Sequence, residues 1–189
     1  MPEPARPGRP LRADARRNRD KVLRAAREAF ADTGYDVPLD EIAARAGVGP
    51  GTVYRHFPSK EALFAAVTAA RVSDLVEQAR AGAAAGDPGA AFFAFLGRLR
   101  AEAAVKRDLP EAISVDGGLR DSMQDALGVL LDRAQAAGAV RPDVRTGDLI
   151  ILLKGLIRSV QETPPGAAGD AQRERLFAVL TDGLRQTGT

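Results

Sequence analysis

The chain has no cysteine, no tryptophan and a single histidine, His56, in 189 residues, and its aromatics stop at seven phenylalanines and two tyrosines. Without cysteine there is no disulfide framework, no thiol nucleophile and no thiolate-held metal, and one histidine excludes a histidine-rich metal site. No stretch approaches the roughly 18 consecutive apolar residues of a membrane span. The start of the chain, rich in arginine and proline, lacks the apolar segment of a secretory signal. A soluble cytoplasmic protein with no membrane partner is expected. A Ser-His-Asp arrangement, a phosphate-cradling glycine loop and a paired-carboxylate motif are missing, and Gly117-Gly118 is too little to stand for one. No catalytic site and no cofactor are therefore implied. No segment alternates apolar and polar residues for long, which leaves an all-α fold in one or two compact units.

What is present is an uneven charge. Residues 1–60 carry twelve Lys and Arg against eight Asp and Glu, a net +4, and residues 61–189 carry a net −2. Nine of the bases, Arg6, Arg9, Arg12, Arg16, Arg17, Arg19, Lys21, Arg24 and Arg27, fall in the first 27 residues against three acids. This is either a phosphate-seeking arm or a solvated tail, which Pro2, Pro4, Pro7 and Pro10 favour. An arm disordered alone and ordered on a duplex satisfies both. Residues 1–13 are read as this flexible basic arm.

The most informative run is LDEIAARAGVGPGTVYRHFPSKEAL, from Leu39 to Leu63. Leu39, Ile42, Ala43 and Ala46 recur at helical spacing. Gly47 can take the left-handed conformation that ends a helix without a Cβ clash, and Val48 is the apolar plug of the turn. Pro50 sits where a second helix begins and its missing N–H is not needed. Val53 and Phe57 share that helix's buried face, Pro58 stops it, and Ser59 is a good cap for a third. Two helices this short and this tightly joined have the form of a helix-turn-helix, whose second helix enters the DNA major groove.

The segment GVGPGTVYRHFPSKEAL, with the upstream AAREAFADTGYD, resembles the DNA-binding signature of the TetR (tetracycline-repressor-like) family of bacterial transcriptional regulators. The resemblance covers about residues 16–75; the remainder is similar only in being helical and of about the right length. It implies a three-helix DNA-binding domain at 14–58, continuing into a linking helix at 59–81, and a helical effector-binding and dimerisation domain at 82–189. It implies a homodimer acting on pseudo-palindromic operator DNA, a repressor released by a small apolar ligand. The alternative is a helix-turn-helix protein without small-molecule control, working through a protein partner.

In the residues alone, Lys60 opens the helix after Ser59, where the helix dipole disfavours a cation unless an anion docks as well. A solvated lysine balanced by Glu61 and a phosphate-gripping lysine are equally consistent there. The resemblance, in which the matching lysine grips the DNA backbone, selects the second. Tyr54 lies between the buried pair Val53 and Phe57, so it faces outward rather than into the core, and the resemblance implies a backbone contact. His56 is either a phosphate donor or a packing residue, and Arg55 a base reader or an exposed charge. Thr52 can offer a hydroxyl to phosphate or a methyl to thymine. Gly49, Pro50 and Gly51 depart from the family, which often has Ser or Thr at the position of Gly49. They leave the helix without a side-chain cap, although bare backbone can approach DNA closely. Specificity is thus expected to lean on Thr52, Arg55, the residues opening the preceding helix (Val37, Pro38, Leu39 and Asp40) and the early arginines, with Arg16 and Arg17 among them.

Helices are expected from about Asp14 to Thr33, Pro38 to Ala46, Pro50 to Phe57, Ser59 to about Gly82, after Asp87-Pro88, over Leu109 to Val115, Leu119 to Ala137, Gly147 to Glu162 with Thr146 as cap, and Asp170 to Gln186. Phe92, Phe95, Leu96, Leu99, Leu109, Ile113, Met123 and Leu127 are core candidates. The resemblance implies that some of them line an apolar effector cavity. Leu149, Leu152, Leu153 and Leu156, with Ile150 and Ile157, cover more than one helix face, which points to burial against a second copy. Leu176 and Leu180 of the last helix join them as candidate dimer contacts.

Overall fold

The computed structural model describes residues 9–104, 117–164 and 166–186. Among them are eight helices and no strand: α1 (Arg9–Asp32), α2 (Leu39–Ala46), α3 (Pro50–His56), α4 (Lys60–Ala83), α5 (Pro88–Ala104), α6 (Gly117–Ala136), α7 (Thr146–Glu162) and α8 (Ala167–Leu184). The expected helix from Leu109 to Val115 lies outside the described residues. No helix among the described residues is long and apolar enough to cross a membrane. The chain divides into two compact units, the first reaching to Thr68 and the second beginning at Ala69, so α4 contributes to each.

The first unit closes around Val22, Ala26, Ala29 and Phe30 of α1, Ile42 and Ala43 of α2, Val53 of α3, Phe57, and Leu63, Phe64 and Val67 of α4. Its turns follow from local chemistry. Gly34 and Gly47 have φ of 82° and 65°, a region that a Cβ disfavours. At Gly47 the N–H donates to Ala44 O at 3.1 Å and that of Val48 to Ala43 O at 3.1 Å, the double closure of a Schellman turn. Val48 packs against the core and closes the turn. The Ser59 hydroxyl accepts the Ala62 N–H at 3.2 Å and caps α4. One boundary differs from expectation: α1 begins at Arg9, not Asp14. Pro10 falls in the first turn, where a helix needs no N–H, so it starts the helix rather than blocking it.

The core of the second unit joins Leu75, Val76, Ala79 and Ala83 of α4 to Phe92, Phe95 and Leu96 of α5, Leu127, Leu130 and Leu131 of α6, Leu149 and Leu153 of α7, and Leu184. The Asp87 carboxylate accepts the Ala90 N–H at 2.9 Å and caps α5. Gly138, at φ 71°, ends α6 as expected. Three boundaries differ. Gly117 and Gly118 belong to α6 instead of preceding it. Thr146 is the first helical residue of α7 and not its cap; Arg145 holds that position, its N–H donating to Asp148 Oδ2 at 3.1 Å. The last helix spans Ala167–Leu184, starting ahead of Asp170. Gly166 there adopts φ 113°, and Gly169 packs so closely on the Pro164 carbonyl that a Cβ has no room. The buried Arg173 donates to the Thr163 carbonyl at 3.2 Å and pairs with Asp170, fixing the α7–α8 turn. An isolated antiparallel bridge between Val140 and Arg185 ties the end of α8 to the turn after α6. There Arg141 N–H donates to Leu184 O at 3.0 Å and Gln186 N–H to Ala139 O at 3.2 Å.

Candidate nucleic-acid interface

The recognition helix α3 is seven residues long, too short to be stable alone. It is held by Val53, fully buried, and by Phe57, whose N–H closes the helix on Val53 O at 2.8 Å. The Arg19 guanidinium of α1 lies 5.4 Å from the Phe57 ring centroid. Anchored on that face, α3 turns its others outward. Tyr54 is 51 % exposed, Arg55 is exposed, and Thr52 and His56 are half-buried, with the His56 ring 6.3 Å from that of Phe57. Gly49, at φ −70° and ψ 150°, precedes α3 with no side-chain cap. Pro50 is exposed, and Gly49 and Gly51 face open space. The surface of α3 carries no acid in its first turn and Arg55 and His56 in its last.

Arg16 and Arg17 are exposed on α1, and Arg17 pairs with Asp14 one turn away. Pro38 is exposed ahead of α2, while Leu39 is half-buried against the core. Val37 is a correction: at 1 % exposure its side chain belongs to the core and offers nothing to a duplex. An apolar residue before a helix reads alike in sequence whether it points in or out.

At the start of α4, the Lys60 ammonium sits 4.7 Å from the Tyr35 ring centroid. The Tyr35 hydroxyl donates to Glu61 Oε1 at 2.9 Å. Glu61's own backbone N–H, the Ser59 hydroxyl and the Tyr35 hydroxyl together hold its carboxyl below the ordinary range. Partial burial, followed by the Glu61 hydrogen bond, pushes the Tyr35 phenol above its ordinary value. Sequence reasoning passed over Tyr35; an aromatic right after the helix-ending Gly34 was the available signal.

In the second unit, the ligand candidates Phe92, Phe95, Leu96 and Leu127 are buried in the core, and Leu99 and Met123 pack at its edge. Leu109 and Ile113 lie outside the described residues. A polar feature accompanies them: Arg71 of α4 is buried, with its Nε 3.8 Å from Glu102 of α5. Of the dimer candidates, Leu149 and Leu153 need correcting, because both are buried in the chain's own core. Leu152, Leu156, Leu176 and Leu180 do line an open groove of about 600 Å³ along α7 and α8, together with Ile151, Gly155, Val179 and Gly183. Ile151 and Val179, at 70 % and 72 % exposed, are the apolar residues that sequence reasoning missed.

A short outward-facing helix, seated on the core of α1, α2 and α4 by a glycine turn and bearing Arg55 and His56 with no acid, defines a helix-turn-helix DNA-binding protein. Residues 22–67 match the family of bacterial regulatory proteins named for TetR, and residues 87–186 match the C-terminal domain of SbtR-like transcriptional regulators. A TetR transcription regulatory protein from Mycobacterium vanbaalenii superimposes with a TM-score of 0.70 at 42 % identity, covering 93 % of this chain and 99 % of that one. A TetR transcriptional regulator from Streptomyces coelicolor does so with 0.71 at 36 % identity, over 90 % and 99 %. The transcriptional activator FasR of Mycolicibacterium smegmatis is 45 % identical over 76 residues, 40 % of this chain and only 34 % of that protein. The chain belongs to the TetR family of helix-turn-helix transcriptional regulators.

Proposed function

We propose that the protein is a cytoplasmic repressor that binds a pseudo-palindromic operator as a homodimer and leaves it when a small apolar effector binds the second unit. The observation that carries the DNA half is the outward face of α3, with Tyr54, Arg55, Thr52 and His56 around bare backbone at Gly49 and Gly51. Tyr54 and Lys60 contact phosphates, and Thr52 and Arg55 read bases. Pairing runs through the groove of α7 and α8, since Ile151 and Val179 expose apolar area that a monomer has no use for. A two-fold pair sets the two recognition helices on half-sites about 34–36 Å apart or a multiple of that. The effector shifts this arrangement only by its differential affinity for two forms, so operator DNA weakens effector binding by the same factor. The apolar residues around Phe92 and Leu127 favour an apolar ligand. Activation is the second reading, favoured by the match to an activator.

Footprinting followed by titration tests the proposal. Tyr54→Phe weakens specific and random DNA alike, whereas Thr52→Ala and Arg55→Ala change sequence preference by about 1–3 kcal/mol. Unchanged preference in both of the latter sinks the base-reading assignment. Transcription from the mapped operator separates repression from activation. Equal effector affinity with and without operator refutes the coupling.

A further inference from the structure

We propose that Tyr35 is a positioning residue for DNA binding, its ring seating the Lys60 ammonium at the start of α4 where a backbone phosphate docks. This rests on the reading of Lys60 as a phosphate contact.

A lysine at the first position of a helix faces the positive end of the helix dipole. Lys60 makes no ion pair among the described residues; its charge acts on the neighbouring Glu61 only through space, and the Tyr35 and Ser59 hydroxyls hold that carboxylate by hydrogen bonds. The ammonium is instead 4.7 Å from the Tyr35 ring centroid. That ring is a fixed platform. It stacks on Phe30 with centroids 6.1 Å apart, meets Phe64 edge-on at 5.5 Å, and is held at its hydroxyl by Glu61 at 2.9 Å.

A ring face and a carboxylate both hold an ammonium, with different consequences. A carboxylate neutralises the charge, so an incoming phosphate must displace it. The ring attracts the cation through its quadrupole without neutralising it, and leaves its hydrogen-bond donors open to an anion. It also restricts a flexible four-carbon stem before binding, which reduces the ordering cost when the phosphate arrives. The N–H groups at the start of α4 add their dipole to the same anion.

The test measures affinity of the full chain for a short duplex of random sequence across a range of salt concentrations. Lys60→Ala lowers the slope of log affinity against log salt by about one or less. Tyr35→Leu lowers it by the same amount, the double variant lowers it no further, and Tyr35→Phe, which keeps the ring, leaves it unchanged. A wild-type slope in Tyr35→Leu, or additive losses in the double variant, overturns the proposal. If Lys60→Ala itself leaves slope and affinity unchanged, the phosphate reading of Lys60 fails and the proposal falls with it. Tyr35→Leu also removes packing on Phe30 and Phe64, but partial unfolding scales affinity without altering the slope. A second measurement needs no DNA. The Lys60 ε-methylene protons are shifted upfield by the ring current in the wild type and in Tyr35→Phe, and lie at their ordinary position in Tyr35→Leu. An ordinary position in the wild type overturns the seat.

Discussion

Among the described residues, α3 in the first unit and the α7–α8 pair in the second each present an exposed surface, and the two surfaces differ in kind. On α3 the exposed groups are a phenol, a guanidinium, a half-buried threonine and bare glycine backbone, suited to a wet, charged partner. Along α7 and α8 they are Ile151, Leu152 and Val179 beside Gly155 and Gly183, suited to a dry one. The difference shows where each unit keeps its strictness. The first fixes its turn by backbone geometry at Gly47 and turns polar side chains outward. The second fixes its turn by a buried side chain, Arg173, and presents shape and apolar area.

The largest effect breaks the dry surface. Leu152→Glu combined with Val179→Glu places charges on residues that the monomer leaves exposed, so folding is little affected. Self-association falls by at least about 100-fold, because charge buried in an interface is costly; sedimentation measures it. Wild-type protein that sediments as a monomer ends the comparison. Next, Gly47→Ala strains the turn before α3, at φ 65°, by about 1–2 kcal/mol. Thermal unfolding followed at the Tyr35 and Tyr54 fluorescence reports the loss, and dimerisation is untouched. In contrast, Gly49→Ser, at an ordinary φ and with open space around it, supplies the missing cap and gains a few tenths of a kcal/mol. If DNA affinity drops all the same, the bare backbone at Gly49 is what approaches the duplex.

The smallest effect concerns pH. Glu61 has its pKa lowered from the ordinary 4.5, so its contribution is complete above that value and is lost as pH falls through the lower folded-state value. Glu61→Gln therefore flattens the acid limb of a stability-against-pH curve below about pH 4.5. An unchanged acid limb means that the Tyr35 hydroxyl and the cap at Ser59 do not hold the carboxylate in solution.

Much of this was legible in the sequence because the decisive signals are local. Gly47, Gly138, Pro50, Ser59 and Asp87 each act through their own backbone or the next turn, and each sits at the expected helix end. The outward position of Tyr54 followed from the helical spacing of Val53 and Phe57. What escaped depends on partners distant in sequence. Helical spacing placed Leu149 and Leu153 on an apolar face but could not say that α5 and α6 cover them. Val37 was lost to the same ambiguity. The Tyr35–Lys60 contact spans 25 positions and joins residues that no spacing rule pairs. Pro10 was misread because proline marks both the end of one segment and the first turn of the next.

The Val140–Arg185 bridge bears on how the chain is made. Among the described residues the first core ends in sequence at Val67, whereas the bridge beside the end of α8 requires Gln186. Translation at about 5–20 residues per second separates those two points by on the order of ten seconds. Through that interval the nascent chain carries the described residues of the first core and only part of the second. The bridge is thus a late contact, one that cannot close the second unit until Gln186 has been made.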